Sequence, residues 1–203
     1  MAGVINLSKG QRVNLTKEAP GLRKIMVGLG WDINTRIGMA NNRYSNYEYD
    51  LDASAFLIGD NGKTKPEGFV FYNNLIGPNE CVKHMGDNRT GAGDGDDEQI
   101  YIDLDRVPAD ISKIAITITI DDAVKKEQNF GQIDNCFCRI VNDETDEEMF
   151  RYDLRDNFSI ETAVVICEFY KHNGVWKFTA VGSGFSGGLL ALCNNYGLDA
   201  EYK

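Results

Sequence analysis

A chain of 203 residues with a net charge of −10 and a 42% hydrophobic fraction has apolar side chain enough for a core and no surplus of cation. That balance excludes a general phosphate-backbone binder, because nucleic-acid affinity rests on clustered Lys and Arg, and it disfavours docking on anionic lipid. The longest apolar run, Ile114 to Ile120, alternates with threonine and is far too short to span a bilayer.

Taken in chain order, the dominant period is two, the spacing at which strand side chains alternate between faces. Val4 to Leu7, Arg12 to Leu15 and Leu22 to Leu29 read as strands, punctuated by Gly10 and by the Pro20-Gly21 turn. Asp50 to Ile58, Phe69 to Tyr72, Gln99 to Leu104, Lys113 to Ile120 and Cys136 to Val141 follow, then Met149 to Leu154, Ala163 to Tyr170 and Val175 to Val181. Turn residues separate them, and Asn173-Gly174 predicts a two-residue hairpin. Helix is scarce: a turn or two over Ala123 to Asn129, and one short apolar helix over Gly187 to Tyr196. Residues 30–49 and 73–97 remain as two long loops, of a length that is usually functional in a compact domain. The expectation is an all-β, two-sheet β-sandwich in a single domain over residues 1–203, with long metal-binding loops and a few short helices.

The second loop carries the strongest chemical signal. From Gly86 to Glu98 it holds five carboxylates and four glycines with one basic residue, Arg89. Like charge at that density repels itself unless a cation lies among it. Calcium takes six to eight oxygen ligands from carboxylates, amides and carbonyls, and glycines let a short loop turn its carbonyls inward. Asp50 and Asp52 alternate onto one strand face with Ser54, and Asp121-Asp122 closes a core strand at its rim. The candidate ligands are therefore Asp50 and Asp52 from the strand, Asp87 and Asn88 from the loop entrance, and Asp94, Asp96, Asp97 and Glu98 from its second half. So many carboxylates suggest two ions. The loop is not an EF-hand, since a twelve-residue template begun at Asp87 puts Ala92 where glycine is required. Asp143 to Glu148, also acidic, reads as a solvated hairpin tip.

Enzyme signatures are weak. No G-x-x-x-x-G-K-[ST] loop and no H-E-x-x-H helix occurs, and the glycine-rich run from Gly182 to Gly188 lacks the flanking order of a catalytic elbow and reads as a turn. Five cysteines, Cys81, Cys136, Cys138, Cys167 and Cys193, are an odd number with no zinc-site spacing, which favours buried, reduced thiols in a cytosolic protein.

At these residues the chain resembles the TerD family of tellurium-resistance and stress-response proteins. The matching segments are Gly3 to Gly10, Val27 to Asp32, Asp50 to Ser54, Gly86 to Gly91 with Gly93 to Glu98, Glu161 to Ala163, Trp176 to Phe178, and Gly182 to Phe185 with Gly188-Leu189. They span nearly the whole chain in the family's order. The resemblance implies a β-sandwich that binds calcium through its Asp-rich loops and acts in the bacterial cytoplasm alongside other tellurium-resistance proteins, with the inner face of the membrane one place for that association. No nucleic acid is expected as a partner. The Asn- and Tyr-rich insert from Thr35 to Glu48 departs from the commoner pattern. The leading expectation is a non-enzymatic calcium sensor or scaffold; the alternative is a magnesium-dependent enzyme acting on phosphate esters, and a third is direct capture of tellurite by cysteine thiolates.

Overall fold

The computed structural model describes residues 4–33, 49–86, 95–154 and 158–199. The chain runs through β1 (Ile5–Asn6), β2 (Arg12–Val13), α1 (Leu15–Glu18), β3 (Lys24–Ile33), β4 (Leu51–Gly59) and β5 (Thr64–Val70). It continues through β6 (Val82–His84), β7 (Glu98–Asp103), β8 (Ile111–Ile120), α2 (Ala123–Lys126), β9 (Ile133–Asn142) and β10 (Glu147–Asp153), and closes with β11 (Ala163–His172), β12 (Val175–Phe185) and α3 (Gly188–Asn195). Two six-stranded sheets form, in the orders β1-β10-β9-β3-β7-β6 and β2-β12-β11-β8-β4-β5. The expected all-β sandwich is the observed architecture.

Alternation sorts the side chains as a sandwich requires. Ile25, Val27 and Leu29 of β3 and Ile100 and Ile102 of β7 face inward from the first sheet, and Leu51, Ala53, Ala55, Ile116 and Ile118 meet them from the second. A second, smaller cluster lies on the outer face of the second sheet, where Phe56, Phe69 and Val165 pack beneath Leu192 and Cys193 of the C-terminal helix and Tyr196 just after it. The start of that helix is held by Thr162, just before β11: its hydroxyl oxygen accepts from the Gly187 N–H at 3.1 Å and the Gly188 N–H at 2.9 Å.

Most expected strands appear within a residue or two, and the Asn173-Gly174 turn has φ of 53° and 74° at its two central residues, the sign a two-residue hairpin demands. Five local readings change. Arg12 to Leu15 is a two-residue strand that turns into α1 at Leu15. β3 continues to Ile33, past the expected end at Leu29, because β9 pairs with it that far. β5 begins at Thr64, and β6 lies inside the expected second loop, paired to β7 by Val82↔Ile102 and His84↔Ile100. The glycine run expected as a turn is strand up to Phe185.

Phe178 of β12 joins the two sheets. It is fully buried, 5.1 Å from Phe169 in its own sheet and 6.1 Å from Phe150 in the other, between ring centroids. Phe178→Ala should cost about 3–5 kcal/mol in urea denaturation, whereas Val124→Ala, at a side chain 78% exposed, should change stability by less than about 0.5 kcal/mol.

Candidate metal centre

Three successive carboxylates at the start of β7 have three different partners. Asp96 lies flat on β3 at Gly28, where a Cβ would collide with its carboxylate. There the Arg139 fork grips it, Nε to Oδ1 at 2.6 Å and Nη2 to Oδ2 at 2.8 Å, because Arg139 stands directly across from Gly28 in the β9 register. Gln99 adds a third bond at 3.0 Å. Gly30 is bare for a similar reason: the Phe137 ring and the Gly95 carbonyl occupy the place of its side chain.

Asp97 and Glu98 complete strands. The β3–β7 pairing ends at Leu29↔Glu98; beyond it the Asp97 N–H donates to the Leu29 carbonyl at 2.8 Å, and the Asp97 carboxylate accepts the Trp31 N–H at 2.9 Å. In the other sheet β5 pairs with β4 only from Ala55 onward, leaving one edge of Ala53 without a neighbouring strand among the described residues. Glu98 reaches across the sandwich and takes the Ala53 N–H at 2.6 Å. His84 Nε2 stands 3.2 Å from the Ala53 carbonyl oxygen and 3.4 Å from Glu98 Oε2. Its Nδ1 accepts the Gly86 N–H at 3.2 Å, so the ring proton sits on Nε2, the nitrogen that must donate. A buried backbone N–H and C=O are thereby satisfied by side chains instead of a ladder.

On the outer face of the first sheet these residues border a pocket of about 580 Å³ lined by Trp31, Asp32, Gly95 to Asp97, Asn135 to Phe137, Arg139, Glu148, Arg151 and Asp153. Burial pushes the Asp97 carboxyl up, the Trp31 N–H pulls it down, and the charges of Asp32 and Asp96 push it up again. Such crowding favours a hard cation, and the oxygen-rich lining suits calcium. Asp32, held by the Asn135 amide at 2.8 Å, was not among the expected ligands, although it ends the Gly28 to Asp32 motif.

The remaining expected residues divide between locations. Asp52 lies on the outer face of the second sheet, in a separate pocket with Thr119, Asp121 and Asp122. Asp50 immediately precedes β4 and its carbonyl accepts the Asp121 N–H at 2.9 Å. The structure therefore places Asp50 and Asp52 apart from the Asp96–Asp97 pocket, joined to it through Glu98 and Ala53. Asp87, Asn88 and Asp94 lie outside the described residues, as does the insert from Thr35 to Glu48. Among the described residues no three His, Cys, Asp or Glu side chains form a ready ion shell.

The chain matches the TerD domain family over residues 3–196. It belongs to that family. General stress protein 16U of Bacillus subtilis is 54% identical over 195 residues, covering 96% of this chain and 97% of its own. Tellurium resistance protein TerD of Serratia marcescens is 48% identical over 198 residues, covering 97% and 99%. Among solved structures, a homologue of telluride resistance protein (TerD) from Streptomyces coelicolor superposes with a TM-score of 0.64 at 19% identity, over 85% of this chain and 95% of that one. At that identity the likeness shows the fold alone.

Within this TerD fold two chemical alternatives lose support. All five cysteines are free and buried. Burial is the first cause pushing four of the thiols up, Cys81 to about 11 and Cys136 to about 12, with Cys167 and Cys193 raised as well, the reverse of what a metalloid-capturing thiolate needs. Gly184-Phe185-Ser186-Gly187-Gly188, in the run expected to hold no G-x-S-x-G elbow, does have that spacing, across the junction of β12 and α3. Neither histidine stands beside it: His84 is engaged inside the core, and His172 pairs with Val175 at the far end of β12.

Two outcomes follow. Because the folded-state pKa of Asp97 is raised, its contribution favours folding at low pH and is lost as pH rises through the folded value. Asp97→Asn keeps an acceptor for the Trp31 N–H and removes the charge. In chelator it should melt above wild type at pH 7, and the gain should shrink toward zero as pH falls to about 4, as followed by circular dichroism. Secondly, a thiol reagent at pH 8 should label none of the five cysteines within minutes in native protein and all of them in urea; rapid native labelling would restore the thiolate reading.

Proposed function

We propose that this chain is a non-enzymatic calcium-binding protein that serves as a sensor or scaffold in tellurite resistance and the bacterial stress response. It would act in the cytoplasm with other tellurium-resistance proteins as partners. The names of the relatives support the biological setting. The observation that carries the ligand reading is the crowding of Asp32, Asp96 and Asp97 around one pocket at the end of β3. No helix among the described residues is long and apolar enough to cross a membrane.

In this reading Asp97 and Asp32 hold one ion together with Asp87, Asn88 and Asp94 of the glycine loop, and Asp50 and Asp52 belong to a second. Asp96 and Glu98, engaged by Arg139 and by Ala53, hold the end of the loop against both sheets. Bound calcium supplies positive charge where the fold has gathered negative charge. Because Asp97 and Glu98 complete strands in different sheets, occupancy at the loop bears on both halves of the sandwich, which is a physical basis for a sensor. The phosphate-ester enzyme gains no observation in its favour.

An ion that binds only the folded state stabilises it by RT ln(1 + [L]/Kd), about 2.7 kcal/mol at a hundredfold excess. Chelator-stripped protein should therefore melt roughly 5–10 °C higher in calcium. Magnesium, which sheds its waters reluctantly, should give a clearly smaller shift at the same ionic strength. Identical melting with calcium, magnesium and chelator would remove the metal reading; equal shifts would keep a site and remove its preference for calcium.

A further inference from the structure

Two thiols meet across the middle of the sandwich. β9 is the third strand of the first sheet and β11 the third of the second, and the two orders run in the same sense. The second strands, β10 and β12, stack through Phe150 and Phe178, and the fifth, β7 and β4, are joined by Glu98 and Ala53. β9 therefore lies over β11. Cys138 of β9 follows in alternation from Ile140, the partner of Phe150, and Cys167 of β11 from Phe169, the partner of Phe178. Both cysteines belong to the core between the sheets, and their thiols hydrogen-bond there. A bulge between Val165 and Cys167 sets this contact. Val165 packs in the outer cluster, and regular alternation would have sent Cys167 to the same face. Cys193 belongs to the outer cluster and Cys81 precedes β6 at the edge of its sheet, so neither faces this pair.

Packed sheets lie about 10 Å apart, a gap that a disulfide between facing strands spans in immunoglobulin-type sandwiches. In the closed fold the pair is inert. Cys138 is 1% exposed and Cys167 is fully buried; burial, and after it the hydrogen bond with Cys138, raises the Cys167 thiol. Parting of the sheets removes both protections at once. We propose that Cys138 and Cys167 are a latent redox latch, closed by a low-molecular-weight disulfide once stress has parted the sheets. One cysteine thiolate attacks a sulfur of that disulfide and expels a small thiolate, which takes up a proton. The other cysteine, losing its proton, attacks the mixed disulfide at the protein sulfur and expels the second small thiol. Two protein thiols and one small disulfide thus become one protein disulfide and two small thiols. The new bond ties the third strands together and restrains further opening. This inference stands independently of the calcium reading.

The full chain is held in oxidised glutathione, either native throughout or brought to its urea midpoint and returned to buffer, then quenched with acid and an alkylating reagent. Trypsin cuts at Arg139, between the two cysteines, so mass spectrometry without reductant reads the link, and Cys136→Ala removes the other cysteine of that peptide. The cycled protein should carry a Cys138–Cys167 bond and melt roughly 5–10 °C higher, reversibly in dithiothreitol. The native sample should oxidise about tenfold more slowly or less, since both sulfurs are sealed. Cys138→Ala and Cys167→Ala should each abolish the melting shift, and Cys136→Ala should keep it. A dominant bond between any other pair, glutathione adducts alone, a link without a melting shift, or native oxidation as fast as in the cycled protein overturns the latch.

Discussion

Two adjacent carboxylates finish the backbones of strands that their own strand cannot reach. Asp97 accepts the Trp31 N–H where β7 stops pairing with β3, and Glu98 accepts the Ala53 N–H where β5 stops pairing with β4. Neighbouring residues in a strand point to opposite faces, so one carboxylate serves the outer side of the first sheet while the next crosses the core to the second. An unsatisfied backbone N–H in a buried setting is costly. The end of the acidic loop is thereby bound to both sheets at once. Everything proposed for the loop depends on that attachment.

The same geometry explains why the local charge is tolerated. Asp96 is nearly inaccessible and is neutralised by a guanidinium fork, the arrangement that makes a buried carboxylate tenable. Asp97 sits partly buried beside two more acids, whose charges push its carboxyl up. The circumstances therefore differ between neighbours: Asp96 holds a settled ion pair, and burial with the charges of Asp32 and Asp96 raises the Asp97 carboxyl. Gly28 and Gly30 are part of this arrangement through the absence of their side chains, since the Asp96 carboxylate and the Phe137 ring fill those spaces.

Legibility followed physical range. Alternation of apolar and polar side chains is a local property, and β8, β11 and β12 were readable from it because each has a buried face along its length. β6 was not, because three residues carry too little pattern and its pairing comes from β7, some twenty residues on. β3 overran its expected end because Gly30 looks like a breaker in sequence, while in the sheet it admits the Phe137 ring opposite. The density of Asp and Gly from 86 to 98 marked the candidate site directly. Nothing adjacent in sequence tied Arg139 to Asp96, or His84 and Ala53 to Glu98.

The sequence by itself determined the class of fold, the hairpins, the buried state of the five cysteines and the place where acidic charge gathers, since each follows from residue type and short-range spacing. Only the tertiary structure decided which carboxylate does what. Identical side chains at 96 and 97 have opposite circumstances because strand pairing sets one beside Arg139 and the other beside Asp32. It also separated Asp52 from the pocket of Asp97 and added Asp32, Trp31 and Arg151 to that pocket. The physical reason is that charge and hydrogen-bond demand are settled by neighbours across sheets, and those neighbours are brought together by packing rather than by order along the chain.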